Sequence, residues 1–280
     1  MSSSGKTEKD HITSQFLFEL AVFSTLGFIL AFLLIRSLLN IQLVVLLKHY
    51  SIHFQGSLFD TWFTSFDGTK WSYKRILLVF GSGYLFITIF GIILAQFLKK
   101  TRNIPWKFRL ILTWISFVSA NTLPAAMIGG FLFFSRFGFA FQWLMKDILY
   151  RAMIALAALI LMLLFRQGWV TLFLRASPRR SFLQEDHLRG IFISNVFIKP
   201  MLAGFVILLF FNKPLIDGFW PLFLLSIGMV TIPILGNNMP FQAINIRRSE
   251  KMIFTSNSYY YLLILLVGLL WVCGRFEIGF

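Results

Sequence analysis

Acidic residues are scarce in this chain: 11 Asp and Glu stand against 26 Lys and Arg over 280 residues, a net charge of +15. None of the 11 falls at the midpoint of an apolar stretch. That counts against a proton-coupled transporter, whose carboxylates lie at depth in the membrane. Cysteine is nearly absent as well. Cys273 stands alone inside an apolar run, which excludes an intrachain disulfide and a cysteine-based zinc site. GxxxxGK[ST], GxSxG and paired-carboxylate motifs are missing, so nothing points to P-loop ATP use or serine-hydrolase chemistry. There is no repeat of fixed period, and no hydrophilic segment long enough for a separate soluble domain.

What fills the chain is hydrocarbon. Apolar residues make up 58% of it and the mean hydropathy is +0.77, against apolar usage of about half in soluble domains. They fall into seven stretches: Phe16–Ile35, Ile76–Leu98, Leu110–Phe134, Ile148–Phe165, Ile191–Phe211, Phe219–Leu235 and Tyr259–Cys273. Most reach the ~20 residues an α-helix needs to cross a ~30 Å hydrocarbon core. A β-barrel would show alternating segments of about 10 residues, and these runs are continuous. Because a spanning segment must bond its own backbone, the expected fold is all-α, a polytopic transmembrane helical bundle of about seven spans. It forms one domain over residues 16–280 behind a polar tail, 1–15, with the lipid bilayer as its first partner. Phe16–Ile35 is too long for the core of a cleavable signal peptide, and Ile35-Arg36-Ser37 is a poor cleavage site. A retained helix is expected.

The positive charge is unevenly spread. Lys99, Lys100, Arg102, Lys107 and Arg109 crowd the second linker. Arg166, Arg175, Arg179, Arg180 and Arg189 occupy or flank the fourth, and Arg247, Arg248 and Lys251 the sixth. Basic residues in every second linker follow the positive-inside rule. The amino terminus is therefore expected in the cytoplasm and the carboxyl terminus outside, with a bacterial inner membrane as the natural home. Charge so placed faces anionic headgroups, and no nucleic-acid partner is expected.

Residues 48–74 are rich in aromatics, with Phe54, Phe59, Trp62, Phe63, Phe66, Trp71 and Tyr73 among Lys and Asp. Such mixtures favour the headgroup layer, which predicts a long first helix followed by a structured segment on the outer surface. In the third stretch Ser119-Ala120-Asn121-Thr122-Leu123-Pro124 precedes Gly129-Gly130. Proline removes a backbone donor, and small or hydroxylated neighbours can re-satisfy the freed groups. Two readings stay open here: a tolerated kink on a packing face, or a broken helix lining a substrate site with Asn121 and Pro124 as the contacting residues. Asp147 and Arg151, four apart, are spaced for a local ion pair.

His49 and His53 are also four apart, the spacing by which HExxH on a helix supplies two zinc ligands. Tyr50 stands where the glutamate base would be. Further on lie Gly81-Ser82-Gly83-Tyr84-Leu85, Phe90-Gly91 and the run FNKPLIDG ending at Gly218. Together these pieces resemble a degenerate copy of the site-2 type intramembrane zinc metalloproteases. Those have HExxH on an early helix, a Gly-rich following helix and a late motif ending in LDG. The resemblance covers only short pieces of the chain. It implies zinc as the metal, with His49, His53 and Asp217 as its ligands. With Tyr50 in place of the glutamate, it implies an inactive relative that binds a transmembrane client rather than a protease.

Three functions follow as expectations. The first is a non-catalytic membrane protein with no cofactor that binds other membrane proteins, either as a complex subunit or as a homo-oligomer. The second is a transporter or channel component built on the Asn121–Pro124 break. The third is a zinc metalloprotease that draws its base from Asp60 or Asp67.

Overall fold

Backbone N–H and C=O groups cannot be left bare in hydrocarbon, so each long apolar run closes its own ladder. In the computed structural model of the chain, residues 14–56, 61–63, 71–101, 103–132, 136–178, 181–211, 261, 263–268 and 278–279 are described. The helices are α1 (Ser14–His49), α2 (Tyr73–Lys100), α3 (Trp106–Leu132), α4 (Arg136–Leu144), α5 (Ile148–Arg175), α6 (Ser181–Gln184), α7 (Asp186–Ile193) and α8 (Lys199–Phe211). A π-helical turn, Ser194–Ile198, joins α7 to α8. Five segments are long and apolar enough to span: α1, α2, Trp106–Phe131 of α3, α5, and the continuous run Asp186–Leu208. The first five expected stretches are thus helical. The sixth lies outside the described residues, as does most of the seventh.

Cross-helix contacts show that neighbours alternate in direction. On α1 and α3, Ser24 meets Trp114 and Phe23 meets Trp106, so the two run parallel. On α2 and α3, Gly91 meets Ser116 while Leu98 meets Arg109, so they run antiparallel. α5 is antiparallel to α3 through Phe117–Trp169 and Trp114–Phe173. α8 follows α1, with Val196 at Ser24 and Gly204 at Phe28.

Two short pieces of the aromatic segment after α1 are strands. Phe54–Gly56 (β1) pairs antiparallel with Thr61–Phe63 (β2), Phe54 opposite Phe63. The far carboxyl-terminal strand Ile278–Gly279 (β3) adds to the other edge, with Gln55 opposite Gly279. Leu43, Leu47, Ile52, Phe54, Trp71, Ile76, Val79 and Phe80 form a separate small core beneath it. The β1–β3 pairing sets the last residues at the end of the bundle where α1 finishes, opposite to where α1 starts.

The main core is aromatic and centres on Trp114, which is fully buried. Phe197 stacks on it at 5.4 Å, and Phe173 and Phe117 meet it edge-on at 4.8 and 5.9 Å. The indole N–H donates to Ser24 Oγ at 2.8 Å, and that hydroxyl donates to Val196 O at 2.5 Å. One polar chain therefore ties α1, α3 and the π-turn inside hydrocarbon, leaving no buried donor among these groups unsatisfied.

Some of the basic residues have a second job. Arg109 donates to Leu98 O and Thr101 O at 3.4 and 2.6 Å, and Arg175 donates to Lys99 O at 2.6 Å. Both guanidinium groups thus cap the carbonyl end of α2, where the helix dipole is negative.

Candidate functional site

Pro124 lies inside α3, where its ring crowds the carbonyl four residues back and its nitrogen carries no proton. α2 bonds the turn just before it. Thr88 Oγ1 accepts from Leu123 N at 3.0 Å and donates to Ser119 O at 3.4 Å, the donor and acceptor of one helical turn beside the proline. The approach is close because Gly91 has no side chain. A methyl there would overlap the Ala120 backbone nitrogen, and Ser116 Oγ donates to Gly91 O at 2.8 Å.

Behind this seam, between α2, α3 and α5, lies a cavity of about 130 Å³. Thr88, Gln96, Lys99, Asn121, Pro124 and Trp169 are among its lining residues. The structure therefore brings Asn121 and Pro124 to one cavity. Asn121 is 3% exposed and its amide donates to Phe117 O at 2.8 Å, a bond within its own helix.

A second, larger site was not anticipated from the sequence. An open cleft of about 640 Å³ separates the start of α1 from α7 and the π-turn. Leu17, Phe18, Ala21 and Ile191 give it apolar walls, while Ser14, Asp186, His187, Ser194, Asn195 and Lys199 give it polar ones. The π-turn has a local cause. Pro200 follows Lys199 and cannot continue the usual ladder, and Lys199 N instead reaches Ser194 O, five residues back. Such π-bulges often sit at functional sites. Lys199 Nζ donates to Asn195 Oδ1 at 2.9 Å, and Asn195 Nδ2 donates to Ile191 O at 2.8 Å. The signal that could have found it was in plain view: a lysine followed by proline in the middle of Ile191–Phe211.

The histidine pair does not share a helix face. α1 ends at His49, the chain turns through Ser51 at φ 52°, and His53 lies beyond the turn before β1. Both side chains are exposed. The turn separates them because positive φ at Ser51 breaks the helical register on which an i, i+4 ligand pair depends. Asp217 lies outside the described residues. Among the described residues no group of three His, Cys, Asp or Glu side chains gathers to hold a metal.

The ion pair expected of Asp147 and Arg151 is also replaced. The Asp147 carboxylate accepts from Leu149 N at 2.9 Å and so caps the start of α5, the more local of two uses for a carboxylate at a helix start.

No family model matches the chain, and no curated protein or solved structure matches it.

Proposed function

We propose that this membrane-spanning helical protein works by binding within the bilayer, as a non-catalytic subunit of a membrane complex. The observation that carries the reading is the one-sidedness of α5. Only 17% of its most apolar segment is enclosed by protein, against 61% for α3. Ala155, Ala158, Met162 and Trp169 face the bundle, while Met153, Leu156, Ile160 and Leu164 are exposed on the other side. The start of α5 is capped by Asp147 and its end is tied to α2 by Arg175, and no described residue covers the exposed face. In membranes such a face gains by packing against another helix. Its basic end, with Lys99, Lys100, Arg109 and Arg175, is the end we place in the cytoplasm.

The test is native mass measurement of the protein extracted gently from its own membrane. An assembly heavier than the 32.4 kDa chain, dispersed by Leu156→Trp with Ile160→Trp, is expected. A monomer at native expression level overturns the reading.

The cavity holding Asn121 and Pro124 favours a second reading, a transport component. Under it, Asn121→Ala changes flux of a solute in vesicles while the protein remains folded and abundant.

A further inference from the structure

We propose that the cavity between α2, α3 and α5 holds one acyl chain of an anionic lipid, with the headgroup at Lys99 and the chain running inward toward Thr88 and Pro124. The proposal rests on neither reading of function above, since a bound lipid suits a complex subunit and a transport component alike.

The cation fixes the headgroup end. The apolar stretch of α2 ends at Leu98, so Lys99 stands at the edge of the hydrocarbon core. Lysines at such edges commonly reach outward to water. This one lies over α5 instead: a Cβ added at Gly168 would be 3.7 Å from Lys99 Nζ. Gly168 is on the core side of the Lys99 backbone, because α3 joins Ser116 to Gly91 and the next residue, Phe117, to Trp169. The side chain therefore leans back along α2, the direction in which helical side chains tilt. Among the described residues its ammonium has no hydrogen-bond or ion-pair partner. None of the cavity's lining residues is acidic, and Lys100 and Arg175 add positive charge at the same end. Basic pockets between membrane helices bind anionic headgroups.

The apolar walls continue from that cation toward the middle of the bilayer. α2 and α5 are both antiparallel to α3 and so run together toward the basic end. Ile92 and Ala95 precede Lys99 on α2, and Leu161, Met162 and Phe165 precede Gly168 on α5, so all five lie deeper than the ammonium. From Gln96 to Thr88 the lining covers about 12 Å along the axis at 1.5 Å per residue. One leaflet's share of a ~30 Å hydrocarbon core is about 15 Å, the depth an acyl chain occupies. Ile92, Leu161 and Phe165 are about half-exposed, which opens the cavity sideways between α2 and α5. At about 130 Å³ it is too narrow for a partner's helix, at least ~10 Å across. A free anion would leave its apolar walls uncovered. At the deep end Thr88 spends its one proton on Ser119 O, so a chain terminus meets no free hydroxyl donor there.

The test uses the full chain, delipidated in neutral detergent. Thermal stabilisation is titrated with phosphatidylglycerol, phosphatidylcholine and inorganic phosphate, and phosphatidylglycerol carrying a mid-chain diazirine is photocrosslinked to the wild type. Phosphatidylglycerol is expected to raise the unfolding temperature saturably, with phosphatidylcholine and phosphate without effect, and crosslinks are expected within residues 92–96 and 161–168. Lys99→Met keeps the carbonyl that receives Arg175 and should weaken the phosphatidylglycerol response about tenfold or more, the scale of one lost hydrogen bond to a charged group. Lys99→Arg should retain it. Gly168→Leu, at a position where a Cβ meets only Lys99 Nζ within 4 Å, should obstruct the chain and lose the response. An equal response in the wild type and Lys99→Met overturns the proposal, as does an equal response to phosphatidylcholine or an undiminished one in Gly168→Leu. Crosslinks confined to other segments overturn it on the wild type alone, whether or not the variants fold. Saturable stabilisation by inorganic phosphate alone replaces the lipid with a free anion. These readouts are separate from the oligomeric mass and solute flux that test the two readings of function.

Discussion

Thr88 Oγ1 stands 3.0 Å from Leu123 N, so a hydroxyl on α2 bonds the backbone of α3 one residue before its proline. The proline turn and the helix pairing therefore meet at one contact. Thr88→Val keeps the shape and removes the acceptor. It should cost about 0.6 kcal/mol and no more than ~1.7 kcal/mol, the mean and the maximum measured for interhelical hydrogen bonds in a membrane protein. Thr88→Ser should be close to neutral. Unfolding in mixed micelles measures both, and equal losses in the two variants would assign the effect to packing instead.

Gly91→Ala separates propensity from packing by its sign. Alanine is the better helix former by about 1 kcal/mol, yet its methyl would overlap Ala120 backbone atoms, which cannot swing aside. A net destabilisation of about 1–3 kcal/mol is expected, the usual cost of overpacking. Gly81→Ala is the control, because a methyl there meets only Leu77 at 3.5 Å. It should be neutral or stabilising.

Trp114→Phe removes the indole donor to Ser24 Oγ and shrinks the most central ring. Combined with Ser24→Ala in a double-mutant cycle, the pair should show a coupling of about 0.6–1.7 kcal/mol. Strict additivity would mean that the hydrogen bond contributes nothing beyond ring packing.

The sheet makes a topological statement that chemistry can check. In a Cys273→Ala background, Gln55→Cys with Gly279→Cys should oxidise to a disulfide, since paired strand positions sit at about 4.5–5.5 Å between Cα atoms, inside the disulfide range. Both cysteines should label from the face opposite to a cysteine placed at Lys100. Labelling of 55 and 279 from opposite faces would remove β3 from the sheet.

Much of this architecture was legible beforehand because hydrophobic length is a direct measure of the solvent. Ile76–Leu98 and Leu110–Phe134 became α2 and α3 with ends moved by a few residues. Asn121 and Pro124 were legible as a break, since proline disturbs any helix wherever it packs. Their shared cavity was not, because it needs Gly168 and Trp169 of α5 on its far side. The placing of His49 and His53 was not legible for the complementary reason: a spacing of four means one face only while the helix lasts, and α1 stops between them. Lys199 at mid-span is visible in the sequence, but the π-turn that seats it depends on Lys199 N reaching Ser194 O.

By itself, the sequence determined the class of solvent, the helical ladders of the first five stretches and the end of the bundle that is basic, because each depends on residue type summed along a local run. Tertiary structure alone decided which hydroxyl bonds the turn before Pro124, which carbonyls receive Arg109 and Arg175, and that Gln55 lies beside Gly279. Those outcomes depend on which surfaces meet. In a bilayer, where lipid tails are as apolar as leucine, that choice rests on small residues and isolated hydrogen bonds whose partners are distant in the chain.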